Sequence, residues 1–388
     1  MASKNKNNRK ILFFTVFTLF MIMATIRAFS FFSDNAKSFL YVGTYTGGES
    51  EGIYIYEMDN QTGELSFHYV QKGINNPSYL AIDKSQNLLF AVSEVSDFDK
   101  SRTGAVSAFK IESTQQTLQP LNFVKSGGAN PCYVSLVENS KTIFVANYTG
   151  GNVSSIQYDE RGLIDDSRVT IQHQGSGPNK ERQEAPHAHF IAPGPSDKYI
   201  YAVDLGIDKV NIYKSRDGEF TKHDPGFVKI NSGAGPRHMA FHPSEKFAYV
   251  LGELDAQIYA YNYNPKTGGL DSLGSYPTLP ADFTEFNKCA DIHIHPNGNF
   301  IYASNRGHNS IVIYKIDTKT GELSFVGHES VRGDWPRNFV IHPDGKFLLV
   351  ANKNSSNVVV FEIDAETGKL NFTGEDEKIP EPVCLKFY

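Results

Sequence analysis

The chain has 388 residues, 40% hydrophobic and 21% charged. That balance argues against a disordered chain and supplies enough apolar material for a large core. A formal charge of −6 argues against a nucleic-acid partner, which needs a basic face. Three cysteines (Cys132, Cys289, Cys384) with no CxxC spacing indicate neither a disulfide framework nor a zinc site. Twenty Tyr, 28 Phe and 32 Gly favour short strands joined by tight turns, so an all-β chain is expected.

The first thirty residues differ from the rest. "MASKNKNNRK" carries four cations and no acid, and the sixteen largely apolar residues 11–26, "ILFFTVFTLFMIMATI", follow. Sixteen residues are short for a bilayer span of roughly 20, and Ala28 and Ser30 supply small residues at a cleavage site. Residues 1–30 are therefore expected to be a signal peptide or an uncleaved N-terminal anchor, a membrane tether through residues 11–26. The expected setting is periplasmic or otherwise extracytoplasmic. Removing residues 1–30 takes five cations and no acid, and moves the formal charge to −11.

From residue 38 onward the chain repeats itself. First-strand units begin "PSYLAI" at Pro77, "PCYVSL" at Pro131, "PHAHFI" at Pro186, "PRHMAF" at Pro236, "CADIHI" at Cys289, "PRNFVI" at Pro336 and "PVCLKF" at Pro382. Each of the first six is followed by a second strand such as "YIYAVDL" or "FAYVLGE". The seventh second strand is missing from the C-terminus and appears instead as "FLYVGTY", residues 39–45. Third strands ("GIYIYEM", "NSIVIYK") and turns into fourth strands ("QTGELSF", "KTGELSF") complete each unit. Four strands in each of seven units predict a seven-bladed β-propeller over residues 38–388, its last blade closed by the N-terminal strand. That closure removes the free sheet edge of an open array.

Antiparallel blades place first-strand entrances and second-strand ends at one end of the channel, the top. The turn between them lies roughly 20 Å away for a six-residue strand. His242, His295 and His342, in "HPSEKF", "HPNGNF" and "HPDGKF", fall in these bottom turns and read as turn residues. At the top, His187, Arg237, His238 and Arg337 stand at first-strand entrances. Second-strand ends read Tyr45, Glu94, Tyr148, Leu205, Glu253, Arg306 and Lys353. Arg, His and carboxylates converging on a propeller mouth are what a binding or catalytic site requires. His189 stands where the string alignment puts apolar residues in other blades, so it reads as a satisfied core histidine or a site residue. Asp204, Asp208 and Asp291 could hold calcium, but the surrounding Arg and His would repel a divalent cation. No metal and no cofactor are expected. An HExxH motif and a P-loop are both absent.

The elements "APHAHF", "AGPRHMAFHP" with "AYVLGELD", "DIHIHPNGNFIYASNRG" and "WPRNFVIHPDGKFLLVANK" together resemble the lactonase family of seven-bladed propellers. That family includes propeller-type 6-phosphogluconolactonases and carboxymuconate cyclases. The similarity runs from about residue 38 to the C-terminus. It implies a lactone-opening hydrolase whose site centres on His187, Arg237, Glu253 and Arg306, with His189, His238 and Arg337 binding substrate. Gly252 departs from the family's usual asparagine beside the acid. The implied reaction needs a water, a base and positive charge at the developing oxyanion. His187 or Glu253 would be the base, and Arg237 and Arg306 the clamp. The implied partner is a sugar lactone, and a monomer is expected. "VANYTGGNVSSIQY" also resembles non-catalytic surface propellers. A cycloisomerase acting on a muconate-type dicarboxylate would use the same residues.

Overall fold

The computed structural model describes residues 37–216 and 219–388, so the expected signal peptide or anchor at residues 1–30 lies outside the described residues. No helix among the described residues is long and apolar enough to cross a membrane. Among the described residues, twenty-eight strands, β1 to β28 in chain order, form seven four-stranded antiparallel sheets. The strands nearest the channel are β4 (Leu80–Asp83), β8 (Pro131–Val137), β12 (Ala188–Pro193), β16 (Pro236–Phe241), β20 (Lys288–Ile294), β24 (Pro336–Ile341) and β28 (Pro382–Phe387). The closing blade has the order β28-β1-β2-β3, with β1 (Lys37–Thr44), β2 (Gly52–Asp59) and β3 (Leu65–Lys72). Leu40 pairs with Phe387 and Val42 with Leu385, which joins the two ends of the domain and leaves no open blade.

Burial follows position in the blade. The second strands β5 (Leu88–Ser93), β9 (Thr142–Asn147), β13 (Tyr199–Asp204), β17 (Phe247–Gly252) and β25 (Phe347–Asn352) are buried at all six positions, because neighbouring blades cover both faces. Hence these strands read as continuous apolar runs rather than alternating ones. Outer strands such as β27 (Leu370–Lys378) bury little beyond their first residue and are mostly polar.

Two side-chain series fasten blade to blade. Second-strand tyrosines donate to the glycine carbonyl of the next blade's Thr-Gly turn: Tyr201 to Gly268 at 2.6 Å, Tyr249 to Gly321 at 2.9 Å and Tyr302 to Gly368 at 2.8 Å. At the bottom, the His-Pro histidines reach forward in the same sense. His242 Nε2 meets Gly298 O at 2.8 Å, His295 Nε2 meets Gly345 O at 2.8 Å and His342 Nε2 meets Ser38 Oγ at 3.0 Å. Gly345 is required at its turn, since its φ is +81° and an added Cβ would lie 2.6 Å from the His295 ring. His295→Ala is expected to lower the unfolding free energy by about 1–2 kcal/mol in a denaturant titration. It should leave chemistry at the opposite end unchanged.

First strands share one irregularity that the repeat alignment did not show. The pairing register shifts between Pro131 and Tyr133, Ala188 and Phe190, Pro236 and His238, and Pro336 and Asn338. The bulged residues are therefore Cys132, His189, Arg237 and Arg337. In β20 the shift spans Cys289 to Ile292, around Asp291. Bulges of this kind re-aim a side chain at the rim of a barrel-like fold. The string alignment that set His187 beside Arg237 is corrected: β12 starts at Ala188, so His189 occupies the Arg237 position and His187 lies in the preceding loop. The apparent polar intrusion in an apolar register was a two-residue offset.

Candidate active site at the propeller mouth

The bulged residues and the second-strand ends converge on a cavity of about 250 Å³ at the top of the channel. Its wall includes Tyr45, Glu94, Tyr148, Glu253 and Arg306 from second-strand ends, and Cys132, His189 and Arg337 from bulges. Arg182, Lys288 and Trp335 complete it. Four cations thus face two carboxylates across a small volume.

Glu253 is the hub. Arg182 Nη2 donates to its Oε1 at 2.6 Å, Arg306 Nη2 donates to its Oε2 at 2.8 Å, and Arg237 Nε lies 3.2 Å from Oε2 without hydrogen-bond alignment. Burial opposes ionisation of Glu253, but the Arg306, Arg182 and Arg237 charges overcome it and hold the carboxyl down at about 2. Arg306 is anchored further by Cys289 O at 2.7 Å and Lys288 O at 3.2 Å, and its guanidinium lies 5.2 Å from the Trp335 ring. Trp335 holds a φ of +68°, a strained conformation for a bulky residue. Asn309 Oδ1 accepts its N–H at 3.0 Å, and its carbonyl accepts from Lys353 N at 3.0 Å.

Arg237 sits beneath the cavity, only 2% exposed. Its Nη1 donates to Ala290 O and lies 3.3 Å from His238 Nε2. Burial, then the Arg306 and Arg337 charges, act to lower its pKa, yet a delocalised guanidinium stays protonated. His238 Nδ1 donates to Asp291 Oδ1 at 2.7 Å, and Asp291 Oδ2 also accepts from His293 Nε2 at 3.0 Å and from Asn338 Nδ2. Burial and Arg237 push the His238 pKa down to about 4. Asp291 is held well below the usual carboxylate range: burial opposes this, and the His293 and His238 contacts prevail. His238, Asp291 and His293 line a second cavity of about 270 Å³ deeper in the channel. Among the described residues no group of three or more His, Cys, Asp or Glu side chains is placed to hold a metal.

His189 lines the mouth, with Nδ1 buried and unpartnered. Burial, then the Arg237, His238 and Arg337 neighbours, keep it well below the usual imidazole range and therefore neutral at pH 7. His187 lies beside the cavity rather than in its wall. It stacks on Tyr148 with centroids 4.5 Å apart, and its nitrogens meet Tyr148 O and Glu184 Oε1, each at 3.1 Å. The His187 N–H donates to Asp204 Oδ1 at 2.8 Å, while Asp204 Oδ2 lies 2.5 Å from His173 Nδ1. Lys353 stays outside the cavity wall, with Glu381 at 4.0 Å.

Two wall cations, Arg337 and Lys288, have no hydrogen bond or ion pair from their charged groups among the described residues; Arg337 lies 5.5 Å from the Tyr45 ring and Lys288 Nζ 5.3 Å from the Phe286 ring. Arg182 was missed in the sequence because it belongs to no repeat position. It comes from the long loop between β11 (Ile164–Gln172) and β12, which Gln183 ties down through Leu205 O at 2.8 Å and Asp208 Oδ1 at 2.6 Å. Loop length was the available signal.

Comparison with known proteins agrees with this geometry. Residues 39–387 match the family described as lactonase, 7-bladed beta-propeller. A Bacillus subtilis strain 168 protein named 6-phosphogluconolactonase is 39% identical over 347 residues, covering 89% of this chain and 97% of its own. A Formosa agariphila protein of the same name is 35% identical over 310 residues, covering 78% of this chain and 86% of its own. The solved structure of a Pseudomonas aeruginosa periplasmic gluconolactonase superposes with a TM-score of 0.86 at 32% identity, covering 91% of this chain and 99% of that one. A matching blade count, a charged mouth and similarity over almost the whole domain lead to one assignment: the chain belongs to the lactonase family of seven-bladed β-propellers.

Proposed function

We propose that the protein hydrolyses a sugar lactone carrying an anionic substituent, of the 6-phosphogluconolactone class, in the mouth cavity. The observation that carries this reading is the pair of unpartnered cations, Arg337 and Lys288, in a wall where Glu253 is already saturated by guanidinium groups. Burial opposes both charges and neither is hydrogen-bonded to an anion; an anionic ligand or a developing oxyanion would supply that contact. The volume of about 250 Å³ suits one ring-sized ligand.

In this mechanism Arg337 receives the carbonyl oxygen as it gains negative charge, while Lys288 and Arg306 face the phosphate or carboxylate substituent. Glu253 is a poor proton acceptor because three guanidiniums hold it ionised. Its part is to fix Arg182, Arg237 and Arg306 in place. The apolar segment at residues 11–26 and the periplasmic location in the Pseudomonas relative's description support an extracytoplasmic setting.

The test is hydrolysis of a panel containing gluconolactone, 6-phosphogluconolactone and a muconolactone, followed by continuous acid release. Turnover of the phosphorylated sugar lactone is expected to exceed that of the others. Turnover of none would sink the reading, and conversion of muconolactone into the isomeric unsaturated dicarboxylate, without addition of water, would favour a cycloisomerase. Arg337→Ala is expected to cost about 10²–10³-fold in kcat, the scale of one lost oxyanion donor.

A further inference from the structure

We infer that Glu94 is the general base of this site. The assignment rests on the lactonase reading above. Water must lose a proton as it attacks the lactone carbonyl, so a proton-accepting group has to stand in the cavity wall within reach of the substrate. Three other groups considered as acceptors in or beside the cavity, Glu253, His187 and His189, are each held back by their surroundings. Glu253 spends both oxygens on Arg182 and Arg306. His187 is outside the wall, its two nitrogens against Tyr148 O and Glu184 Oε1. His189 faces Arg237, His238 and Arg337, whose charges and burial oppose its taking a proton.

Glu94 differs on each count. It follows β5, lines the cavity and is partly exposed to it. No cation forms an ion pair or hydrogen bond with it among the described residues, although the Arg337 charge acts on it through space. Tyr45 OH donates to Oε2 at 3.0 Å, which orients the carboxylate and leaves Oε1 for a water. The same Tyr45 ring carries the Arg337 guanidinium at 5.5 Å, so base and proposed oxyanion receptor share one support. Glu94 and Glu253 belong to blades three apart in the ring, so they stand on opposite walls. A lactone between them meets Glu253 and its arginines on one side and Glu94 with Arg337 on the other.

The step balances without a co-reactant. Glu94 Oε1 takes a proton from water while the water oxygen bonds to the carbonyl carbon. The ring C–O bond then breaks, and its oxygen takes that proton from Glu94 as the hydroxyl of the opened chain. The new carboxylic acid ionises to solvent, and Glu94 is again a carboxylate.

The experiment uses the full chain and compares kcat and KM on 6-phosphogluconolactone. Glu94→Gln is expected to lower kcat by at least 10²-fold with KM within threefold of the parent, since the amide cannot accept the proton. Glu94→Ala should regain at least tenfold with formate supplied as an external base. Tyr45→Phe should lose about tenfold. A Glu94→Gln protein retaining kcat within threefold overturns the assignment while leaving the lactonase reading intact, because the parent still turns over. A Glu94→Gln protein that fails to fold leaves formate rescue of Glu94→Ala to decide, and no rescue overturns it. A parent inactive on every lactone overturns the reading beneath and the assignment with it.

Discussion

Glu253→Ala is expected to be the most damaging single change in the domain, lowering the unfolding free energy by about 3–5 kcal/mol. The carboxylate is 2% exposed and stands among three guanidiniums. Without it, Arg182, Arg237 and Arg306 lose their shared counter-charge, and for the buried Arg237 and Arg306 water screens the repulsion poorly. Glu253→Gln keeps the shape but removes the charge, so it should recover packing and not electrostatics. Its stability should fall between the parent and Glu253→Ala. The measurements are denaturant unfolding at pH 7 and kcat/KM on a phosphorylated sugar lactone, which both variants should lower by more than 10²-fold. Near-parental stability of Glu253→Ala would mean that the guanidiniums separate and find water, contrary to the packed hub described above.

The second large effect is acid lability between pH 6.5 and 4. His238 has a folded pKa of about 4 against an unfolded value near 6.5. The groups facing it are Arg237, Asp291, His293, His189, Tyr79 and Tyr133. Because the folded pKa is depressed, the unfolded chain binds a proton in this window and the native chain does not. The stabilisation is complete above pH 6.5 and is lost as pH falls toward 4, at about 1.4 kcal/mol per unit and about 3 kcal/mol in all. His189 shifts in the same direction and steepens the slope. Asp291, also depressed, extends the loss below pH 4. Unfolding free energies at pH 7, 5.5 and 4.5 should show this slope, and His238→Phe should flatten it by about one proton. A flat profile in the parent would contradict the burial of a neutral His238.

The architecture was legible because the blades repeat the same succession of apolar strands and turns, four of them through a Thr-Gly turn, and these need only local rules. Closure of the last blade by residues 39–45 was legible as a missing second strand at one end and a spare one at the other. Tyr45, Glu94, Tyr148, Glu253 and Arg306 were legible as second-strand ends, and all five line the mouth. What the strings could not show was the bulge. One extra residue in a strand changes which side chain turns into the channel, and that depends on the partner strand's hydrogen bonds rather than on spacing. His187 and His189 therefore read two residues out of register.

Arg182 illustrates the other gap. A loop residue carries no repeat position, and only the folded loop, tied by Gln183 to Asp208, delivers it to Glu253. The roles of the charged groups were also undecided by residue type. Glu94 and Glu253 are the same side chain at equivalent strand ends, yet one is saturated by arginines and the other is met only by a tyrosine hydroxyl. By itself the sequence determined the blade count, the closure and the end of the channel that carries charge, since these follow from local periodicity. The tertiary structure alone decided which carboxylate is neutralised and which is free, because charge pairing depends on which blades face each other across the channel.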